Sequence, residues 1–265
     1  MSYWAERIDG QANILFDKTT AQTQRELAKQ YKKQLRAIQL DLTALYDELI
    51  KEAADGVIKP NDLYKYNRYF KLHNTINKQL QQLGCAEVEI YNKELLRMYD
   101  GVQEIITREA PHVIANSTII PTSGQDVLDS IWCADGKHWS QRIWGNKTKL
   151  QEQLESALMD SIVRGVSKDE AVKEFQKAFS VSFNQADRIT RTEMNYVQNQ
   201  ATANRYKAAG VKKYEILAAI DSRTSDICKE MNGKVFEFGK EMVGVNYPPF
   251  HPNCRTTIIP VLKEV

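Results

Sequence analysis

Two cysteines and one histidine near the end of the chain are the side chains whose types best suit metal chemistry. Cys228 comes first, and His251 and Cys254 follow together in the segment PPFHPNCR. Thiolate sulfur and imidazole nitrogen are the ligands that zinc prefers in proteins. The prolines restrict the backbone of this segment, so it should be a stiff loop that holds side chains in fixed positions.

The chemistry of these three residues has three interpretations. In the first, they bind zinc or another metal ion, with Asp221 or a water molecule as the fourth ligand. In the second, they form a structural polar cluster, in which His251 bonds the backbone and both cysteines are small buried side chains. In the third, they belong to a hydrolytic metal site of the His-Asn nuclease kind. The spacing between Cys228 and His251 is not that of a zinc ribbon, so the residues alone leave all three open.

A second group of polar residues surrounds the first. Glu193 shares one helical stripe with Ile189 and Val197, and a carboxylate in an apolar stripe is costly unless a cation meets it. The sequence therefore predicts that Glu193 pairs with Arg223 or Arg255. The predicted polar cluster consists of Arg191, Glu193, Asp221, Arg223, His251 and Arg255.

Other catalytic signatures are absent from the sequence. It contains no G-x-S-x-G elbow, no phosphate-binding glycine loop, no H-E-x-x-H motif and no paired-cysteine ribbon. The residues therefore give no support to nucleophilic catalysis.

Positive charge is densest on and just after one predicted helix. Overall charge is balanced, with 36 basic and 34 acidic residues and a net charge of +2, so only a local patch could bind nucleic acid. Contact with DNA there would be independent of base sequence and strongly sensitive to salt. The alternative is a solvated helix face, with Arg191 committed to the polar cluster. The candidate DNA-binding residues are Arg188, Arg205, Lys207, Lys212 and Lys213.

Long amphipathic helices are predicted before these residues. A short amphipathic segment, 1–17, precedes a helix over 20–54, which begins at a capping-box pattern of Thr19 and Gln22 and ends at Asp55-Gly56. Further helices are predicted over 60–84, ended by Gly84, and over 86–109, with Pro111 just beyond. Three long helices joined by short breaks predict an up-and-down bundle.

The remainder of the chain predicts a connector and a mixed domain. Pro111, Pro121 and a group of tryptophans indicate an irregular connector over 111–146. Helices follow, one from 147 to Gly165, one opened by the capping box of Ser167 and Glu170, and one over 183–209. Short strands are predicted at 214–216, 235–238 and 257–259, with a turn at Asn232-Gly233.

These elements predict an α+β fold that is mainly α. We expect an N-terminal long-helix bundle over 1–110, the tryptophan-rich connector over 111–146, and a C-terminal domain over 147–265 whose helices pack on a small β-sheet. The sequence shows no secretion signal and no apolar segment of the ~20 residues that span a bilayer. Four scattered cysteines predict a protein of a reducing cytoplasm without a disulfide framework.

One succession of motifs resembles a known family. The order is RTE on a helix, D-x-R-T-S-x-x-C, N-G-x-V-F, and P-P-F-H-P-N-C-R, and together they resemble the phage Mu protein F-like family of minor head, or head-morphogenesis, proteins of tailed bacteriophages. The segments RIWGNKTKL and YWAERI are similar to the branch found in phages of Gram-positive hosts. Many members carry a further cysteine where this chain has Ser225, which weakens a four-cysteine zinc site here.

The resemblance implies a structural role in the phage head. The expected partners are the portal protein, the major capsid or scaffolding protein, and double-stranded DNA, with roles in capsid assembly, DNA packaging or delivery and no membrane contact. The expected location is the virion, in the head interior or at the portal vertex, after assembly in the host cytoplasm. The alternative is a metal-dependent nuclease or a transferase-like enzyme, although no toxin domain is expected after Val265. Zinc is the one cofactor considered.

Overall fold

A computed structural model describes residues 3–53, 58–110, 114 and 122–262. The predictions at Asp55-Gly56, Pro111 and Pro121 lie outside these residues. The described chain is mainly helical, with a small antiparallel sheet near its end, which confirms the predicted fold class. The elements are α1 (Tyr3–Glu52), α2 (Pro60–Tyr64), a 3-10 turn (Lys65–Asn67), α3 (Arg68–Glu109), α4 (Gly124–Leu128), α5 (Trp139–Val163), α6 (Lys168–Ala208), β1 (Lys213–Leu217), α7 (Asp226–Met231), β2 (Val235–Glu237) and β3 (Thr257–Val261).

Helix α1 begins at Tyr3, so the prediction of a helix start near Thr20 is wrong. Ala5, Ile8, Ala12 and Phe16 are buried at three- and four-residue intervals, and the stripe they form continues through the threonines that follow. The capping pattern of Thr19 and Gln22 therefore lies inside a helix, where residues on the buried face decide the conformation.

Helix α3 is continuous through Gly84, so the predicted break between 84 and 86 is also wrong. A Cβ atom at Gly84 would lie 2.5 Å from Cζ3 of Trp144, which means that the glycine makes room for an indole ring. The break in the chain comes earlier, at Tyr66 and Asn67, whose φ angles are +54° and +57°. The predicted helix over 60–84 is accordingly a short α2, a turn and the start of α3.

The later helices are also longer than predicted. Helix α5 begins at Trp139, so the end of the predicted irregular connector is helical. Helix α6 replaces the two helices expected after Ser167, because no glycine or proline interrupts 168–208. Its capping box is confirmed: Ser167 N donates to Glu170 Oε2 at 3.0 Å, and Glu170 N donates to Ser167 Oγ at 3.3 Å.

The three predicted strands form one antiparallel sheet in the order β2-β1-β3. Tyr214 lies opposite Phe236 on β2 and opposite Pro260 on β3. The turn at Asn232-Gly233 is confirmed: Gly233 has a φ of +78°, and its N–H donates to the carbonyl oxygen of Ile216 at 2.8 Å. The sheet core consists mainly of Tyr214, Ile216, Cys228, Tyr247, Phe250, Cys254 and Ile258, packed with Ala203 of α6.

The chain divides into two compact units that are not sequential. Unit 1 consists of Met1–Gln24, Tyr91–Trp139 and Arg188–Val265, and unit 2 of Arg25–Ile90 and Ser140–Asp187. This division differs from the sequential one at 110 and 146, because α1, α3 and α6 each contribute residues to both units. Within the described residues, no helix is both long and apolar enough to cross a membrane.

Candidate functional site

The candidate site lies in unit 1, where the sheet meets the second half of α6. Asn195 and Asn199, one helical turn apart, both donate their Nδ2 groups to the carbonyl oxygen of Thr256, at 3.0 and 3.1 Å. Tyr247 Oη donates to the carbonyl oxygen of Asn199 at 2.7 Å. All of these groups are buried, so the bonds fix the helix against the chain that leads into β3. Neither asparagine was predicted from the sequence, although their four-residue spacing beside Glu193 was a usable signal.

Asp221 organises the turn that follows β1. Its Oδ1 accepts the backbone N–H of Arg223 at 2.8 Å and a guanidinium N–H of Arg255 at 2.6 Å, and Oδ2 accepts from the Arg223 side chain at 3.2 Å. These bonds, with that from Arg255 the strongest, hold the pKa of Asp221 well below its usual range. The structure therefore brings three members of the predicted cluster together around this carboxylate.

Glu193 is buried on α6 and binds a residue outside the predicted cluster. Trp132 donates its indole N–H to Glu193 Oε2 at 2.9 Å. The Trp132 ring stacks on Tyr196, with centroids 4.6 Å apart, and Tyr196 Oη is 2.8 Å from Ser130 Oγ. The pairing of Glu193 with Arg223 or Arg255 stays a prediction. Arg191 is half-buried on the same helix, two positions before Glu193.

The side chains of Cys228, His251 and Cys254 lie close together in the structure, as the sequence led us to expect. Cys228 Sγ lies 3.2 Å from His251 Nε2 and 3.7 Å from Cys254 Sγ. Both thiols are buried in the sheet core, and burial raises the pKa of Cys254. Cys228 lies on α7, whereas His251 and Cys254 follow the cis Pro248-Pro249 bond. The possible metal ligands named from the sequence are therefore neighbours.

The tautomer of His251 follows from its hydrogen bonds. Nδ1 lies 2.8 Å from the carbonyl oxygen of Pro252, which can only accept, so Nδ1 carries the proton. Nε2 then presents its lone pair toward Cys228 and toward Ser225, whose Oγ is 2.8 Å away. Ser225 is also the N-cap of α7 and accepts the N–H of Cys228 at 3.4 Å.

The candidate DNA-binding residues differ in their surroundings. Lys207 pairs with Glu241 at 3.2 Å, and Arg205 donates to Thr107 Oγ1 at 3.0 Å. Arg188 is exposed on α6, and Lys212 and Lys213 are exposed at the start of β1. Lys207 and Arg205 are thus partly engaged inside unit 1, which leaves the last three as the more accessible cations of this set.

Comparison with protein families confirms the resemblance over the C-terminal part of the chain. Residues 152–259 match the family described as Phage Mu protein F like protein. The matched region includes all of α6, the three strands down to Ile259, and both groups of candidate site residues. The family match therefore supports the resemblance for this part of the chain.

Two curated relatives share part of the chain. A protein of Haemophilus influenzae described as uncharacterized is 25% identical over 47% of this chain and 28% of its own length. The NAD(+)--arginine ADP-ribosyltransferase EFV of Enterococcus faecalis is 27% identical over 49% of this chain and 30% of its own length. The chain thus spans less than a third of either relative. No solved structure matches it.

Proposed function

We propose that this protein is a minor structural component of a tailed-phage head that associates with the portal and acts in capsid assembly and in DNA packaging or delivery. The observation that carries the proposal is the family match over 152–259, since the family is one of structural phage proteins. The corresponding location is the virion, in the head interior or at the portal vertex, after assembly in the host cytoplasm.

The bonding of the site supports a structural role. Asp221 is bound by two arginines, and the amides of Asn195 and Asn199 share one carbonyl acceptor. Groups committed to internal bonds of this kind rigidify a domain, whereas catalysis requires groups that can reach a substrate. Unit 1 is therefore suited to be a fixed docking body for the portal protein or for the capsid or scaffolding protein.

Association with the portal can be tested by co-expression. The tagged full chain is expressed with the portal protein of the same phage, and we expect the two to elute as one complex in size-exclusion chromatography. A tagged protein of similar size from outside the phage serves as the control. Separate elution, together with absence of the protein from purified virions, would exclude the proposed role.

Sequence-independent DNA binding is part of the same proposal. Exposed Arg188, Lys212 and Lys213 support it, because phosphate contacts of such side chains release counterions. We expect the logarithm of the affinity for duplex DNA to fall linearly with the logarithm of salt concentration, by about 0.9 per phosphate contact. Charge removal at Lys212 and Lys213 should weaken binding, whereas Lys177→Gln on an exposed face of α6 in unit 2 should not. Affinity that does not change with salt would exclude this mechanism.

The second candidate function is enzymatic and rests on the relative from Enterococcus faecalis. That protein's name describes transfer of ADP-ribose from NAD⁺ to arginine, but the chain covers only 30% of its length. Purified protein is incubated with NAD⁺ and an arginine-rich acceptor, and separately with DNA and divalent metal ions. Turnover that disappears with a substitution in the candidate site, while the fold is kept, would favour the enzyme over the head protein.

A further inference from the structure

Two buried cysteines of the sheet core and the half-buried histidine beside them have the identity and placement of zinc ligands. Cys228, His251 and Cys254 come from α7 and from the loop before β3, and one ligand atom of each lies within 4.8 Å of the others. We propose that they bind one zinc ion, with a fourth coordination position beside the hydroxyl of Ser225. This inference concerns how unit 1 is stabilised and does not depend on the proposed role in the phage head.

The distance between the two sulfurs fits a shared zinc ion. Zinc–sulfur bonds of about 2.3 Å at a tetrahedral angle separate the two sulfurs by about 3.8 Å. Cys228 Sγ and Cys254 Sγ are 3.7 Å apart. With a zinc–nitrogen bond of about 2.0 Å, the expected sulfur–nitrogen separation is about 3.5 Å. The distance from Cys228 Sγ to His251 Nε2 is 3.2 Å, so an adjustment of a few tenths of an ångström would complete the geometry.

The imidazole is already oriented for metal binding. The Nδ1–H group of His251 donates to the carbonyl oxygen of Pro252, which fixes the tautomer and leaves Nε2 as the ligand atom. Histidines that bind metals usually donate their other ring N–H to a carbonyl or carboxylate in this way, and such outer bonds raise metal affinity about 10- to 100-fold. Neighbouring prolines restrict the backbone that carries this bond.

Ser225 marks the fourth position. Its Oγ is 2.8 Å from His251 Nε2 and lies one helical turn before Cys228 at the start of α7. Ser225 and Cys228 thus have the spacing that paired cysteines have in closed zinc sites. A hydroxyl is a weaker zinc ligand than a thiolate, so the site should bind zinc less tightly than a Cys₃His site would. A cysteine at position 225 should therefore increase the affinity.

Zinc would join segments that are distant in sequence. It would link α7 with the loop that leads into β3, and β3 pairs with the central strand β1. The alternative is a metal-free cluster, in which a thiol proton of one cysteine lies between the two sulfurs and Ser225 donates to His251. The two states differ in proton content, because binding of zinc by two thiolates releases the thiol protons.

Cobalt(II) titration of the reduced full chain tests the proposal directly. Cobalt bound by cysteine shows sulfur-to-metal charge-transfer absorption, and the intensity of its visible bands distinguishes four ligands from six. We expect one equivalent to bind with both features, and zinc to displace it. Cys228→Ser and Cys254→Ser should each reduce the affinity by more than the about 10- to 100-fold that outer-shell changes cost.

Matched variants separate this site from other thiols. Cys85→Ser and Cys133→Ser change the other two cysteines and should leave the cobalt spectrum unchanged. Ser225→Cys should strengthen the charge-transfer band and tighten zinc binding by at least about tenfold, within the range of single-group changes at metal sites. The proposal is overturned if the wild-type chain binds no more cobalt than the Cys228→Ser variant, or if the signal depends on Cys85 or Cys133.

Discussion

Trp132 donates its indole N–H to the buried carboxylate of Glu193, 61 positions later in the chain, at 2.9 Å. The same ring stacks on Tyr196, one turn further along α6, so one side chain both donates to the Glu193 carboxylate and packs on an aromatic ring. A tryptophan from the predicted connector is therefore part of the bonding of α6.

The first prediction concerns the energy of this contact. A hydrogen bond to a charged group contributes about 1.5–3 kcal/mol, so the cycle of Trp132→Phe, Glu193→Met and the double variant should show coupling of that size. The measurement is the free energy of unfolding in urea. Coupling below about 0.5 kcal/mol would mean that the two residues act independently.

The second prediction concerns Gly84 in α3. Alanine inside a helix normally stabilises it by about 0.5–1 kcal/mol relative to glycine. At position 84 the added Cβ would meet the Trp144 ring at 2.5 Å, so Gly84→Ala should instead destabilise the protein by about 1–3 kcal/mol. Gly145→Ala in α5 is the matched control, because nothing lies within 4 Å of its Cβ position and it should raise the melting temperature. An equal rise in melting temperature in both variants would show that the Trp144 indole moves away without an energetic cost.

The third prediction concerns the ion pair of Glu87 and Lys147 in the core of unit 2. Both side chains are buried, and Lys147 Nζ also lies 2.5 Å from Tyr31 Oη. Burial raises the pKa of Glu87 and lowers the pKa of Lys147, which disfavours the charge on each. Each residue therefore keeps its charge only because the other lies beside it. Lys147→Ala should therefore cost about 3–5 kcal/mol, whereas the joint change Glu87→Leu with Lys147→Met should be neutral or stabilising.

An exposed pair in unit 2 provides the control for this prediction. Lys168 and Asp47 are 2.9 Å apart at the surface, and Lys168→Met should cost less than about 1 kcal/mol. Chemical denaturation of the three variants gives the comparison. If the double variant is no more stable than Lys147→Ala alone, the loss comes from packing and not from the unpaired carboxylate.

The fourth prediction concerns acid stability. The bonds from Arg255 and Arg223 lower the pKa of Asp221 in the folded protein, so Asp221 contributes stability that is fully present above its unfolded pKa of about 3.9. That contribution is lost as the pH falls below this value toward the folded pKa. Asp221→Asn should therefore lower the melting temperature at pH 7 and have a smaller effect near pH 3. Asp226→Asn, at a fully exposed carboxylate on α7, should have little effect at either pH. If Asp221→Asn lowers the melting temperature equally at both pH values, the stability does not depend on the ionisation of Asp221 and the prediction is wrong.

Several features of this protein are determined by residues close together in the sequence. The capping box of Ser167 and Glu170, the Asn232-Gly233 turn and the three strands were predicted correctly, because their signals act within a few residues. The motifs around Asp221 and His251 likewise indicated the family, because each is a short contiguous run of residues. Cysteine and histidine are residue types that bind one metal ion together, so Cys228, His251 and Cys254 were expected to lie close to one another.

Other features were decided only by tertiary structure. Helical periodicity identifies a buried face but not the side chain that packs against it. Gly84 was therefore interpreted as a helix end, whereas in the structure it makes room for the Trp144 ring. The carboxylate bound by Arg255 could not be identified from the sequence either, and the structure shows it to be Asp221. Such pairings join residues far apart in the chain, and their energy depends on burial that only the folded protein creates.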